Sequence, residues 1–126
     1  MRYEDFILRV QSLAGLDATE DARVVSQASL TTLGECLTDE EAEDLASQLP
    51  KGLKEYLVEE SGSEAAAGYS LEEFYQRVGE RAGLHLGEAK SRSRAVAQAL
   101  EDAVSETEVQ DMRALLPSDL ESLFER

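Results

Sequence analysis

The basic residues of the second half of the chain form the one cluster whose chemistry suggests a binding site. The cluster consists of Arg77, Arg81, Lys90, Arg92 and Arg94. The last three lie near the start of a predicted helix, where cations oppose the helix macrodipole and therefore need a compensating partner. Ion pairing with neighbouring carboxylates such as Glu88 and Glu101 is the explanation that we favour. An anion or an acidic partner protein is the alternative, and it makes these five residues the candidate binding site.

The other reactive residue types do not predict a catalytic centre. His85 is the single histidine and Cys36 the single cysteine, so no histidine pair, multi-cysteine metal site or internal disulfide can form. We interpret Cys36 as an inert buried thiol and His85 as a solvent-facing turn residue. Paired acids such as Glu72-Glu73 are typical of the first turn of a helix, where the dipole favours negative charge. We therefore expect no catalytic residue, no metal and no cofactor.

The charge balance excludes several classes of partner. The 126 residues include 12 Lys plus Arg and 27 Asp plus Glu, which gives a net charge of -15. Such a surface repels nucleic acid and anionic membranes. No apolar run approaches the roughly 20 residues that span a bilayer, and the start does not resemble a secretory signal, so we expect a cytoplasmic protein. Abundant acid with scarce lysine suits a salt-rich cytoplasm, and a dedicated acidic docking face is the alternative.

A tandem repeat organises the chain. Residues 4–10 and 14–16 recur at 72–78 and 82–84, and after one gap the register changes so that residues 22–53 correspond to 89–120. Six pairs of apolar residues occupy equivalent positions and form the predicted core. They are Phe6 and Phe74, Val10 and Val78, Leu33 and Leu100, Leu45 and Met112, Leu49 and Leu116, and Leu53 and Leu120.

Each repeat is predicted to contain four helices. The first half has helices at about 4–13, 19–36, from the capping box at Thr38 towards Pro50, and 51–58. The second half has them at about 71–81, 87–103, from Ser105 towards Pro117, and 118–124. Residues 61–69 form a linker between repeats at 1–60 and 70–126. The predicted fold is all-α, with two tandem four-helix repeats packed with pseudo-twofold symmetry into one compact domain.

Two finer predictions concern how the helices pack. The stretch 24–34 carries no charge, so it either crosses the centre of the domain, which we favour, or meets another subunit. Arg9 and Arg77 stand on the first helix of each repeat, while Asp44 and Asp111 stand on the third. We expect each arginine to pair with an acid on the third helix.

Several segments together resemble the family catalogued as domain of unknown function 2267. They are Tyr3-Glu4-Asp5-Phe6 with Arg9-Val10, Leu33-Gly34-Glu35-Cys36-Leu37-Thr38, and Glu41-Ala42-Glu43-Asp44-Leu45-Ala46-Ser47-Gln48-Leu49-Pro50, with a weaker echo at Leu115-Leu116-Pro117. The resemblance implies an acidic member similar to halophilic archaeal proteins, and it assigns no catalytic residue. We expect a protein-binding or scaffolding module, with self-association left open as one form of that binding. The alternative is an enzyme or small-ligand binder with a polar pocket between the repeats, using Arg77, Arg81 or His85.

Overall fold

The computed structural model describes residues 1–62, 69–116 and 118–124, and this part of the chain is helical without a strand. The predicted linker lies largely outside the described residues. Seven α-helices and a final 3₁₀ helix follow one another. They are α1 (Tyr3–Ala14), α2 (Thr19–Glu35), α3 (Asp39–Ala46), α4 (Lys54–Glu59), α5 (Leu71–Ala82), α6 (Leu86–Ala103), α7 (Glu106–Leu115) and the 3₁₀ helix Ser118–Phe124.

The helix boundaries follow local signals in the sequence. Thr38, Ser70 and Ser105 each accept a hydrogen bond from the backbone N–H three residues later, as their capping positions predict. Gly15 and Gly83 end α1 and α5 in the left-handed conformation, with φ of 65° and 71°. Two predicted boundaries were wrong: α3 ends at Ala46 rather than at Leu49-Pro50, and α4 begins at Lys54 after a turn. The last segment has its predicted bounds, Ser118–Phe124, and is a 3₁₀ helix.

The packing joins the two halves of the chain closely. Helix α1 packs against both α2 and α6, and α5 packs against both α6 and α2. The first helix of each half therefore contacts the second helix of both halves. All twelve residues of the six predicted core pairs are buried, which confirms that part of the prediction. The two halves pack closely here, since the depression between Leu30, Phe74, Leu100 and their neighbours has a volume of only about 10 Å³.

Helix α2 lies at the centre of this arrangement, as the absence of charge over residues 24–34 predicts. Most of its uncharged stretch is buried, but Val24 and Gln27 are exposed and Thr31 is half-buried. Near its end, Gly34 is buried against the backbone of α4. A Cβ atom added at Gly34 would lie 2.0 Å from the carbonyl oxygen of Leu57, so only glycine permits this approach of the two helices.

Candidate functional site

Arg81 and Glu35 form the most buried ion pair that the structure describes. Glu35 is the last residue of α2, and its side chain is only 11 % exposed, while that of Arg81 on α5 is 30 % exposed. Arg81 Nη1 meets Glu35 Oε1 and also donates a hydrogen bond of 2.7 Å to Thr32 Oγ1. The hydroxyl of Tyr69 lies 3.5 Å from Glu35 Oε2. Arg81 thus ties the first helix of the second half to the end of α2.

Tyr69 also brings Arg77 to this cluster. The guanidinium carbon of Arg77 lies 5.7 Å from the centre of the Tyr69 ring, which is a cation–π distance. Burial and the Glu35 carboxylate raise the pKa of Tyr69, while Arg77 and Arg81 oppose that shift. The tyrosine therefore stays neutral and acts as a hydrogen-bonding and stacking partner. Two of the five predicted site residues, Arg77 and Arg81, are brought together here.

A second ion pair joins the halves at the corresponding interface. Arg9 on α1 pairs with Asp102 on α6 at 2.9 Å, with side chains 47 % and 28 % exposed. Asp102 is the repeat equivalent of Glu35. The expected pairing of Arg9 and Arg77 with the third helices was wrong, because Arg77 pairs with Glu80 on its own helix at 3.7 Å. Helix α1 packs on α6, and α5 packs on α2. The acids on these second helices, Asp102 and Glu35, therefore come within reach of arginines on the first helix of the opposite half.

A surface groove runs beside the Arg81–Glu35 pair. Its volume is about 340 Å³, and we call it the α2 groove. It is lined by Val24, Gln27, Ala28, Thr31, Glu59, Glu60 and Arg81. The four α2 residues form an uncharged floor, the two glutamates at the end of α4 form one rim, and Arg81 forms the other. The groove thus lies between elements of the first half and α5 of the second half.

The remaining candidate basic residues do not converge on this groove. Lys90 is exposed on α6, and Arg92 pairs with Glu88 at 3.3 Å. Arg94 lines a different depression, of about 190 Å³, together with Leu13 and Phe124. The favoured ion-pair explanation holds for Arg92 and Glu88, and Glu101 pairs with Arg113 at 2.8 Å. The structure therefore divides the predicted cluster into separate environments.

The surroundings of His85 and Cys36 indicate structural roles for both residues. His85 is exposed, as expected, and it also caps α6, since its Nδ1 accepts a hydrogen bond of 3.2 Å from the Glu88 N–H. Burial, with a smaller contribution from Glu35, raises the pKa of the Cys36 thiol to about 12. A thiol that stays protonated at neutral pH is a poor nucleophile. These two residues do not form a catalytic pair with each other at the sites where the structure places them.

Four carboxylates line a depression between α3 and α7. They are Glu41, Asp44, Glu108 and Asp111, and the depression has a volume of about 270 Å³. In the described residues, no group of three or more histidine, cysteine or acidic side chains is arranged to hold a metal ion. No helix of that same part is both long and apolar enough to cross a membrane.

Sequence reasoning did not single out Glu35. The available signal was its position, because Glu35 is the first charge after the uncharged stretch 24–34 and an acid, Asp102, stands at the equivalent place in the second half. Those two observations together mark the positions that meet an arginine from the first helix of the other half, Arg81 on α5 for Glu35 and Arg9 on α1 for Asp102. The floor of the α2 groove could not be found in this way, since exposure within an uncharged helix depends on how its neighbours pack.

Comparison with protein-family models gives a match to nearly the whole chain. A family model described as an uncharacterized conserved protein (DUF2267) matches residues 3–123. A search of curated proteins finds none that matches the chain. The match spans both halves of the chain and both inter-half ion pairs.

Proposed function

The chain belongs to the DUF2267 family of uncharacterised conserved proteins, and from that premise we propose that it is a non-catalytic module that binds another protein through the α2 groove. One observation carries the proposal. On a chain of net charge -15, the part of α2 formed by the exposed Val24 and Gln27 and the half-buried Thr31 is uncharged and forms the floor of a groove. Uncharged surface of this kind, bordered by charged residues, is typical of protein interfaces.

The dense packing of the core supports a surface function. The depression between Leu30, Phe74 and Leu100 has a volume of only about 10 Å³, which is too small for a substrate. The titratable side chains of the predicted site are divided among separate pairs, so they do not present a set of polar groups around one reacting atom. A protein-binding or scaffolding role fits these features, and a second copy of the chain is the alternative partner.

A small-ligand site in the same groove is the second candidate function. A volume of about 340 Å³ lies at the lower end of the range for small-molecule pockets, and Arg81 supplies one cation. Arg77 and His85, the other residues considered for such a pocket, are not among the lining residues. Mass spectrometry of small molecules released from the purified protein tests this candidate, and a stoichiometric ligand would favour it.

Affinity capture from native lysate in high salt tests the proposed module. The wild-type chain is compared with Val24→Lys, which places a charge on the groove floor, and with Leu8→Lys as a matched control. Leu8 is an exposed apolar residue on α1 that does not line the groove. We expect a partner retained by wild type and by Leu8→Lys and lost with Val24→Lys. Recovery of no protein above background, together with a monomeric mass by light scattering, contradicts the proposal.

We further propose that the chain works in a salt-rich cytoplasm and arose by tandem duplication. The acid excess supports the first point, because counter-ions screen carboxylate repulsion. The corresponding contacts of α1 and α5 support the second. The free energy of unfolding should increase as KCl is raised, and a free energy that is independent of KCl contradicts the salt proposal.

A further inference from the structure

We infer that the α2 groove accepts a basic, amphipathic segment of the partner protein, an inference that rests on the protein-binding function proposed above. The segment would place apolar side chains on the floor of the groove and Lys or Arg side chains against Glu59 and Glu60. The argument comes from the charges around the groove, the shape of its floor and the charge of the whole chain.

The charges around the groove are unequal. Arg81 is already neutralised, since its Nη1 pairs with Glu35 behind the groove. Glu59 and Glu60 are exposed on the opposite rim, and within the described residues neither side chain has a hydrogen bond or an ion pair. Residues 63–68, which follow them in sequence, include no Lys or Arg. Among the residues that the structure describes, the two carboxylates of the groove therefore have no cation paired with them.

The floor of the groove has the shape that a helical segment needs. Val24, Gln27, Ala28 and Thr31 are spaced as i, i+3, i+4 and i+7, so they lie in one line on α2. That line is about 10 Å long at 1.5 Å per residue. A partner helix that lies in such a groove makes contact through residues with the same spacing. The contact area suits two turns of a partner helix rather than a large globular surface.

The charge of the whole chain favours a basic occupant over a second copy. At a net charge of -15 and in about 0.15 M salt, the protein attracts a cationic segment and repels another copy of itself, and in a salt-rich cytoplasm the close contact with Glu59 and Glu60 keeps the same preference. The same repulsion disfavours an acidic segment, which would also face Glu59 and Glu60 at close range. Complementary charge thus acts in the same direction at the rim and over the whole molecule.

Fluorescence anisotropy with two synthetic peptides tests the inference. The first is an amphipathic helix of about 14 residues built from Leu and Lys, and the second has every Lys replaced by Glu. At about 0.15 M salt we expect the Lys peptide to bind at least about tenfold more tightly than the Glu peptide. The double variant Glu59→Gln with Glu60→Gln should weaken binding of the Lys peptide about fivefold.

A matched variant separates groove binding from general attraction to an acidic protein. Glu40 and Glu43 are exposed carboxylates on α3 that do not line the groove. Replacing both with Gln removes the same charge, and we expect it to weaken binding less than about twofold. Val24→Lys should abolish binding, while Leu8→Lys should leave it within about twofold of wild type. Equal losses for the two glutamate pairs overturn the inference.

The results distinguish failure of this inference from failure of the proposed function. Tighter binding of the Glu peptide, or a dimer that Val24→Lys disrupts, overturns the basic segment but keeps the groove as a protein-binding surface. If neither peptide binds and lysate capture recovers no partner for a monomeric chain, both are overturned. A preference for the Lys peptide that depends on Glu59, Glu60 and Val24 supports both.

Discussion

Removal of Arg81 should destabilise the protein far more than removal of Arg9, although both arginines join the two halves. In Arg81→Met, the Glu35 carboxylate keeps only the Tyr69 hydroxyl, at 3.5 Å, as a partner among the described residues. Removing one member of a buried ion pair costs about 3–5 kcal/mol, because the other charge stays buried and unpaired. Part of Arg81 reaches solvent, so water can partly replace it, and we expect a cost of about 2–3 kcal/mol.

The complementary change should cost less. Glu35→Gln keeps the shape of the side chain and leaves Arg81, which can reach water from its more exposed position, for an expected cost of about 1–2 kcal/mol. When both changes are combined, the total should fall below the sum of the single costs. The expected coupling energy between the two residues is about 1.5 kcal/mol, within the range for directly interacting groups.

Arg9 and Asp102 provide a matched control at the corresponding interface. Both side chains are much more exposed than Glu35, so their coupling energy, measured with Arg9→Met and Asp102→Asn, should be about 0.5 kcal/mol. High salt should remove most of this coupling and little of that between Arg81 and Glu35, since buried charges are screened less.

Urea unfolding followed by circular dichroism measures these free energies. A domain of this size has a stability of about 5–15 kcal/mol, so the single variants should remain folded. Unchanged m-values would show that the variants unfold from equally compact states. The reasoning is refuted if the two pairs have equal coupling energies, or if Arg81→Met is no more destabilising than Arg9→Met.

Three further predictions concern other parts of the fold. Gly34→Ala should destabilise the protein by about 3 kcal/mol in the urea unfolding assay, because its Cβ would collide with the Leu57 carbonyl oxygen. Gly87→Ala, near the exposed start of α6, should be neutral or stabilising in the same assay. Because the folded pKa of Cys36 is about 12 against an ordinary 9.0, the folded state holds its proton longer, so stability should fall as pH rises above about 9. Cys36→Ala should remove the part of that fall that begins near pH 9 and leave the part above about pH 10 that comes from Tyr69 and Tyr75, whose pKa is also raised. The double variant Asp44→Asn with Asp111→Asn should raise the unfolding free energy at low salt by about 0.5 kcal/mol and should reduce the dependence of that free energy on KCl. An unchanged dependence on KCl would show that the carboxylates between α3 and α7 do not repel one another.

Much of the fold could be predicted because its determinants are local or repeated. The Thr38 capping box and the glycines after α1 and α5 act through neighbouring backbone groups, so the sequence contains the whole signal. The equivalent apolar pairs identified the core, because the same positions face inwards in both halves. The 3₁₀ geometry of the last segment has no such local signal, since it depends on how that segment packs against α5 and α6.

The candidate site was less predictable because its charges pair across long sequence distances. Arg81 and Glu35 are far apart in the chain, and their contact depends on α5 packing against α2 rather than against its own third helix. The predicted cluster treated Lys90, Arg92 and Arg94 as neighbours because they are close in sequence. On a helix, Arg92 points away from the face that Lys90 and Arg94 share, whereas Arg77 and Arg81 on α5 both act on Tyr69.

The way that α1 and α5 each reach across to the opposite half affects how the protein is made. While the ribosome is synthesising the second half, α1 and α2 are complete but lack their partners α5 and α6. At 5–20 residues per second, the stretch from residue 60 to residue 103 takes about 2–9 s to appear. During that interval the nascent chain displays the apolar faces of α1 and α2, so molecular chaperones would have a well-defined segment to protect.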